Sequence, residues 1–457
     1  MLRLILTAAL CVAAVVLVVA GRADAAPQHK PPAPEASAAL PNAGPEPAAA
    51  LPDAGAEPAA PHAAHADPQA PYGVRLPVIT PKMRRYITTR RVLYVVGTLY
   101  YYLLLWLILR TGLSARLRRD AAQRAKPRLL QLVLYYVGFS LVLYAGSFPL
   151  DFYSGYVIEH EYGLSGQPFA GWLGDSFKGL LVGLGTTIPV LYLLYWLIVR
   201  SPRRWPLVLW AASIPIIAAA IFAQPLIIDP VFNKFTPLAA GSLRDRIHAL
   251  AVQAGIPNAP ILVSDVSKQT NTTNAYVNGI GSSARIVLWD TLLKGKNKMT
   301  DDQILAIVGH EMGHYVLKHI YWGFLEAVGG LFFVFPILKW AYEGLVRRKG
   351  GAWQLTGPDD FAAIPVLMLV FTVISFFGSP VVNALSRHVE HQADEYGLTV
   401  TRNPRAMAEA FVALSEQNLS DPDPPKLLTF WLGSHPPLKE RIQYALSYCE
   451  KYGCGEK

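Results

Sequence analysis

The sequence predicts a mainly α, polytopic membrane protein: six spanning helices behind an N-terminal signal or anchor segment, with an α+β soluble domain divided by the last two spans. Three observations predict it. Of 457 residues, 52% are hydrophobic and only 16% charged, against about 25% charged in an ordinary soluble domain. Six apolar runs, residues 92–109, 129–150, 177–199, 205–228, 322–342 and 361–382, each approach the roughly 20 residues a spanning helix needs. Most are flanked by Tyr, Trp or Arg, which anchor at the membrane interface. Buried helices of a soluble protein would not recur at this number and length. Finally, the stretches after the fourth and sixth runs are polar enough to fold in water.

The chain opens with Arg3, an apolar run from Leu4 to Ala20, and Ala23-Asp24-Ala25. That is a basic start, an apolar centre and a small-x-small cleavage site, so residues 1–25 read as a secretory signal. The apolar centre is long for a signal and nearly long enough to span, which makes an uncleaved anchor the close alternative. Residues 26–82 read as a linker. Most of it is Ala, Pro, Gly and acidic residues, which cannot bury enough surface to offset the entropy of ordering. A four-span bundle is then expected over 83–230, the first part of the soluble domain over 231–320, two spans over 321–383, and the second part over 384–457.

A net charge of +9 does not indicate nucleic acid, because the basic residues cluster beside apolar runs as topology signals do. The three cysteines (Cys11, Cys449 and Cys454) supply no disulfide framework. Cys449 and Cys454 read as two thiols in a frayed tail, with pairing in an oxidising compartment as the alternative.

Within the soluble stretch, residues 242–254 read as an amphipathic helix closed by Gly255 and Pro257. Residues 261–266 and 285–289 read as strands, separated by a polar Gly- and Asn-rich segment. Thr300-Asp301-Asp302-Gln303 is a capping box ahead of apolar Ile304, Leu305, Ile307 and Val308. A helix starting there carries His310 and His314 at i and i+4, so both imidazoles emerge from one face. That pair suits tetrahedral Zn²⁺. Glu311, beside His310, reaches a water at the open metal position, whose pKa zinc lowers from about 15.7 toward about 7, and serves as general base. Gly309 and Gly313 weaken the helix, which makes sense if another element or a substrate approaches closely. The pattern His-Glu-x-x-His also arises by chance on exposed helices, but the cap, the glycines and the apolar pattern argue against chance here.

A catalytic zinc of this kind takes a third protein ligand, commonly Glu. On a continuous helix Glu326 lies about 18 Å beyond His314 at about 1.5 Å per residue, too far to reach. Its cost inside a span nonetheless marks it as a functional candidate. Glu390 is the better ligand. It shares a helix face with Asp394, so one carboxylate can ligate while the other orients a ligand imidazole. His388 and His391 are neighbours that could compete; the commoner arrangement leaves them solvated or packed nearby.

These residues lie in a wider pattern. Asn383, Ser386, Arg387, Glu390, Ala393 and Asp394 form N-x-x-S-R-x-x-E-x-x-A-D, and Ser434-His435-Pro436-Pro437 follows. Upstream stand Glu161-Tyr162-Gly163, the run from Phe232 to Leu238, Asn274-Ala275-Tyr276 and the run from Arg285 to Leu293. From about Tyr86 onward the chain resembles the CAAX prenyl protease 1 family of integral-membrane zinc metalloproteases, and more distantly the bacterial heat-shock membrane protease HtpX. The resemblance implies a gluzincin-like protease domain with one Zn²⁺ per chain on His310, His314 and Glu390, and Glu311 as general base. It further implies Asp394 as the partner of a ligand histidine and His435 as stabiliser of the oxyanion. Asn274 and Ala275 would lie on an edge strand that pairs with extended substrate, and Arg441 would bind substrate or support the site. Family members enclose a chamber within the membrane and cleave near the C-terminus of prenylated proteins. The first 82 residues match the family poorly.

The expected function is therefore zinc-dependent hydrolysis of extended polypeptides that are membrane-associated or lipid-modified, with the lipid bilayer as the other partner and no nucleic acid. The basic loops 110–128, 200–204 and 347–349 fall on one side and both soluble segments on the other. The positive-inside rule then puts the site in the periplasm of a bacterial inner membrane, although residues 82–91 are basic on that outer side and eukaryotic family members open toward the cytosol. Two other classes fit the sequence less well. A non-catalytic membrane scaffold or chaperone on a protease fold would not need Glu311, both histidines and Glu390 intact. A membrane di-iron oxidoreductase needs clustered histidines, which 11 scattered ones do not supply.

Overall fold

A computed structural model of the chain describes residues 71–295 and 298–454. The expected signal or anchor and most of the expected linker lie outside the described residues. The described part of the linker corrects its boundary: Val74 is buried beside the C-terminal helices, Arg75 pairs with Glu416, and the first helix already starts at Pro81.

Six helical segments among the described residues are long and apolar enough to cross a membrane, at the places the hydropathy predicts. Helix α1 (Pro81–Arg110) starts on a Thr80 cap whose side chain accepts from the Met83 N–H, with Pro81 at the first helical position. A short basic helix, α2 (Leu113–Arg124), leads into α3 (Arg128–Phe152). Helices α4 (Phe169–Arg200) and α5 (Trp205–Ala223) complete the first bundle, α5 running on through a π-helical turn. The bundle core joins Leu105, Tyr135, Phe139, Tyr195 and Trp205 to residues of the last two spans. On the outer flanks Leu99, Phe333, Trp340 and Phe377 are more than 60% exposed, an apolar belt that only lipid covers favourably.

The two ends of the bundle differ. At one end the basic loops meet: Arg118 lies 3.3 Å from buried Asp360, the Ser114 hydroxyl donates to the Ala362 carbonyl, and Lys339 donates to the Pro202 carbonyl. At the other end Ser165 and Leu164 bond to Gln269 and Asn271 of the soluble domain, and Arg91 pairs with Asp421.

The soluble domain is built around a four-stranded sheet of order β1-β2-β4-β3. Strand β1 (Phe235–Pro237) pairs antiparallel with β2 (Ile261–Ser264), β2 runs parallel to β4 (Arg285–Trp289), and β3 (Ala275–Asn278) is antiparallel to β4 at the far edge. Strand β1 has no counterpart in the sequence reading, and β3 enters there only as the edge strand that the family resemblance implies at Asn274 and Ala275. Helices α6 (Ser242–Gln253) and α7 (Asp301–Val316) cover the sheet. The expected capping box forms at α7, where the Thr300 hydroxyl accepts from Gln303 N–H and the Gln303 amide from Thr300 N–H.

Two departures from a simple helical reading shape the site. Helix α7 does not continue into the fifth span. Lys318 adopts left-handed backbone (φ 59°), and α8 (His319–Lys349) starts afresh. Conversely, the helix of the sixth span does not stop at residue 383. Helix α9 runs unbroken from Ile364 to Thr401 and carries Glu390 and Asp394 on its extension beyond the membrane. Helices α10 (Pro404–Gln417), α11 (Lys426–Leu432) and α12 (Leu438–Ser447) close the domain. Beyond them Gly453 turns the chain back (φ 76°), and Cys449 and Cys454 are joined as a disulfide rather than left as the two thiols expected.

Helices α7 and α9 approach through small residues. A β-carbon on Gly309 would meet the Thr401 methyl at 2.8 Å, one on Gly313 the Ala393 backbone at 3.0 Å, and one on Gly397 the His310 backbone nitrogen at 2.9 Å. Gly397→Ala should therefore destabilise the protein by about 1–3 kcal/mol, as overpacking does. Gly344→Ala, where a β-carbon meets open space, should be neutral or slightly stabilising. Thermal unfolding in detergent micelles compares the two, and equal midpoints would contradict the close crossing.

Candidate metal centre

Helix α7 presents His310 and His314 toward α9, which returns Glu390 to them across two spans of intervening chain. Their donor atoms form a triangle. His310 Nε2 lies 3.2 Å from His314 Nε2 and 3.4 Å from Glu390 Oε2, and His314 Nε2 lies 3.6 Å from Glu390 Oε1. A tetrahedral zinc with bonds of about 2.1 Å would space its ligands about 3.4 Å apart. Glu390 Oε2 is buried and makes no hydrogen bond among the described residues, an arrangement that is costly unless a cation satisfies it. The donor set therefore fits a metal ion.

The groups behind the ligands are equally defined. The Nδ1 of His310 meets Asp394 Oδ1 at 2.8 Å. Asp394 is gripped by Arg441 through two bonds, Nε to Oδ2 at 2.8 Å and an NH2 group to Oδ1 at 2.6 Å. Arg441 is itself buried, 3.6 Å from Glu390 Oε2, with its guanidinium 4.2 Å over the Phe411 ring. Such a bidentate pair holds geometry well, and breaking one partner of a buried pair is costly. The Nδ1 of His314 faces His319 Nδ1 at 3.0 Å, and His319 Nε2 faces Gln392 Oε1 at 3.2 Å.

Charge at the centre is unbalanced between the two imidazoles. Burial pushes His314 down to about 3. Burial also works against a charged His310, but Asp394 and Glu390 outweigh it and hold that imidazole up at about 9. The carboxylates thus call for one positive charge among the ligands, which a divalent cation supplies while leaving both imidazoles neutral. Burial, reinforced by Glu390, pushes the Glu311 carboxyl up to about 7, and a bound cation would draw it back down. Glu311 also takes a hydrogen bond from the backbone of Val277 on β3, which places the carboxylate against that edge strand.

The remaining expected residues gather around the same point. His435, half exposed, lies 3.3 Å from Glu390 Oε1. It is held there because Asn383 donates to the Trp431 carbonyl and Arg387 to those of Thr429 and Gly433, clamping α11 just before Ser434. Asn274 is exposed at the start of β3, its side chain accepting from Ala275 N–H. Glu326 is exposed on α8 and does not join the donor group. His391 packs edge-on against Tyr444, and His388 is exposed. Sequence reasoning missed His319 and Gln392. The only signal was a histidine five residues after His314, which helical periodicity places off the metal-facing stripe.

Comparison with known proteins agrees with this geometry. Residues 237–448 match the model of peptidase family M48, and residues 79–234 match the CAAX prenyl protease N-terminal family, described as five membrane helices. This chain supplies four spans over the latter stretch. It is 37% identical to the uncharacterized metalloprotease YhfN of Bacillus subtilis, over 79% of this chain and 84% of that one. It is 31% identical to CAAX prenyl protease 1 of Saccharomyces cerevisiae, over 66% and 68%. The crystal structure of S. mikatae Ste24p superposes with a TM-score of 0.68 at 27% identity, covering 80% of this chain and 87% of that one. This chain is a membrane metalloprotease of peptidase family M48 and belongs to its CAAX prenyl protease branch.

Proposed function

We propose that the chain is a zinc endopeptidase with one zinc per chain on His310, His314 and Glu390, cutting extended polypeptides that are membrane-associated or lipid-modified. The observation that carries this reading is the triangle of three donors 3.2–3.6 Å apart beside a carboxylate, Glu311, pressed against an open sheet edge. An extended substrate adds to β3 through its main chain, with Asn274 and Ala275 at the start of the pairing. Zinc, when bound, lowers the pKa of a water and polarises the scissile carbonyl. Glu311 takes the proton from the attacking water and returns it to the leaving amine. His435 donates to the oxyanion that develops on the carbonyl. Asp394 accepts from His310 Nδ1–H and keeps its Nε2 free to ligate. Arg441 is buried on Asp394, a placement that favours supporting the site over touching substrate.

We assign the catalytic domain to the outer side of a bacterial inner membrane. The basic loops gather at the opposite end of the bundle, the cytoplasmic end by the positive-inside rule, and the Cys449–Cys454 pairing suits an oxidising compartment.

Two experiments test these assignments. Glu311→Gln should abolish cleavage, a loss of at least about 10²-fold expected of a missing general base, while zinc content stays at one per chain. The readout is the set of membrane-protein fragments in cells carrying each form. Fragments that persist with the variant would leave a non-enzymatic role for the chain. Separately, alkaline phosphatase fused to the C-terminus should be active, since it matures only outside the cytoplasm. An inactive, stably produced fusion would reverse the orientation.

A further inference from the structure

The two zinc-ligand histidines are oriented by chemically different partners. His310 has a carboxylate behind it, already described. Behind His314 stands another imidazole, His319, 7% exposed and the first residue of α8. It reaches that position only because the chain breaks at Leu317 and Lys318. The left-handed Lys318 (φ 59°) turns the backbone so that the His319 ring meets His314 edge-on, with ring centres 5.1 Å apart.

We propose that His319 and Gln392 are positioning residues that fix the tautomer of His314 for metal ligation. The geometry permits only one productive proton order. An amide oxygen can only accept, so Gln392 Oε1, 3.2 Å from His319 Nε2, requires the proton of a neutral His319 to sit on Nε2. That leaves Nδ1 of His319 with a lone pair. At 3.0 Å from it, His314 Nδ1 must then be the donor, and a neutral imidazole protonated at Nδ1 carries its free lone pair on Nε2. His314 Nε2 is the atom that points at His310 Nε2 and Glu390. In the opposite order His314 would carry its proton on Nε2 and could not ligate. The Gln392 amide thus sets the tautomer of a ligand two residues removed from it in the hydrogen-bonded chain. It comes from α9, the helix that supplies Glu390, so one helix both ligates the metal and orients the ligand on α7.

This inference rests on the zinc reading above. Outer partners of metal-bound histidines typically contribute about 10–100-fold in metal affinity. His319→Phe keeps a ring of similar shape and removes the acceptor. His319→Asn places an amide oxygen close to where Nδ1 stands and restores it. Zinc affinity of the full-length protein in detergent micelles, by competition with a chromophoric chelator, reads the effect without substrate. His319→Phe is expected to weaken zinc about 10–100-fold, His319→Asn to recover most of that loss, and Gln392→Leu to lose less than His319→Phe. Thermal midpoints of the zinc-free forms should agree with one another. The proposal fails if His319→Phe binds zinc as wild type does, or if the Phe and Asn variants weaken it equally, which would make packing the cause. Wild-type protein that binds no zinc would instead overturn the metal reading itself.

Discussion

Helices α7 and α9 cross more closely than ordinary side chains allow. Gly309, Gly313 and Gly397 sit where any β-carbon would press on the opposite helix at 2.8–3.0 Å, and Ala393 is fully buried between them. Glycine in a helix costs about 1 kcal/mol relative to alanine, so three at one crossing are a substantial local penalty. What they obtain is reach. With backbones this near, Glu390 and Asp394, short acidic side chains at i and i+4, arrive at both edges of the His310 ring together. Larger residues would hold the helices apart at the usual 8–10 Å and leave the carboxylates short of the imidazoles.

The same crossing ties the membrane bundle to the catalytic domain, because one helix belongs to both. Helix α9 is continuous from the sixth span through Pro380 to Glu390, so the bundle sets where Glu390 stands. Charge then sets what the centre accepts. Glu390, Asp394 and Arg441 are all buried, and such groups are tolerated when paired and hydrogen-bonded. Asp394 and Arg441 satisfy each other, whereas Glu390 keeps one oxygen without a hydrogen bond among the described residues. A cation at the triangle completes that set.

How much of this was legible in the sequence depends on the range of the causes. The spans announce themselves because lipid demands long apolar runs, and all six lie where hydropathy places them. The cap of α7 was legible because Thr300 and Gln303 act within one turn. Strand β1 was not, and β3 was expected only through the family resemblance, not from its own residues. They are three and four residues long, one ends in proline, and the other sits in a polar Asn- and Thr-rich stretch where propensity favours a loop. Gly309 and Gly313 read as sites of close approach, but which element approaches cannot be read from them, and Gly397 carries no such signal in the sequence. His319 was hidden by a backbone break: nothing in the residues around Lys318 announces left-handed geometry. The cysteine pair was hidden for a similar reason, since the turn at Gly453 decides it.

The central claim is that two imidazoles and one carboxylate of this chain hold a single zinc. X-ray absorption at the zinc edge, on purified protein in detergent, tests it directly. The account predicts four nitrogen or oxygen neighbours at about 2.0–2.1 Å, with the multiple-scattering signature of two imidazoles. A third imidazole in place of the carboxylate, or sulfur at about 2.3 Å, would contradict it.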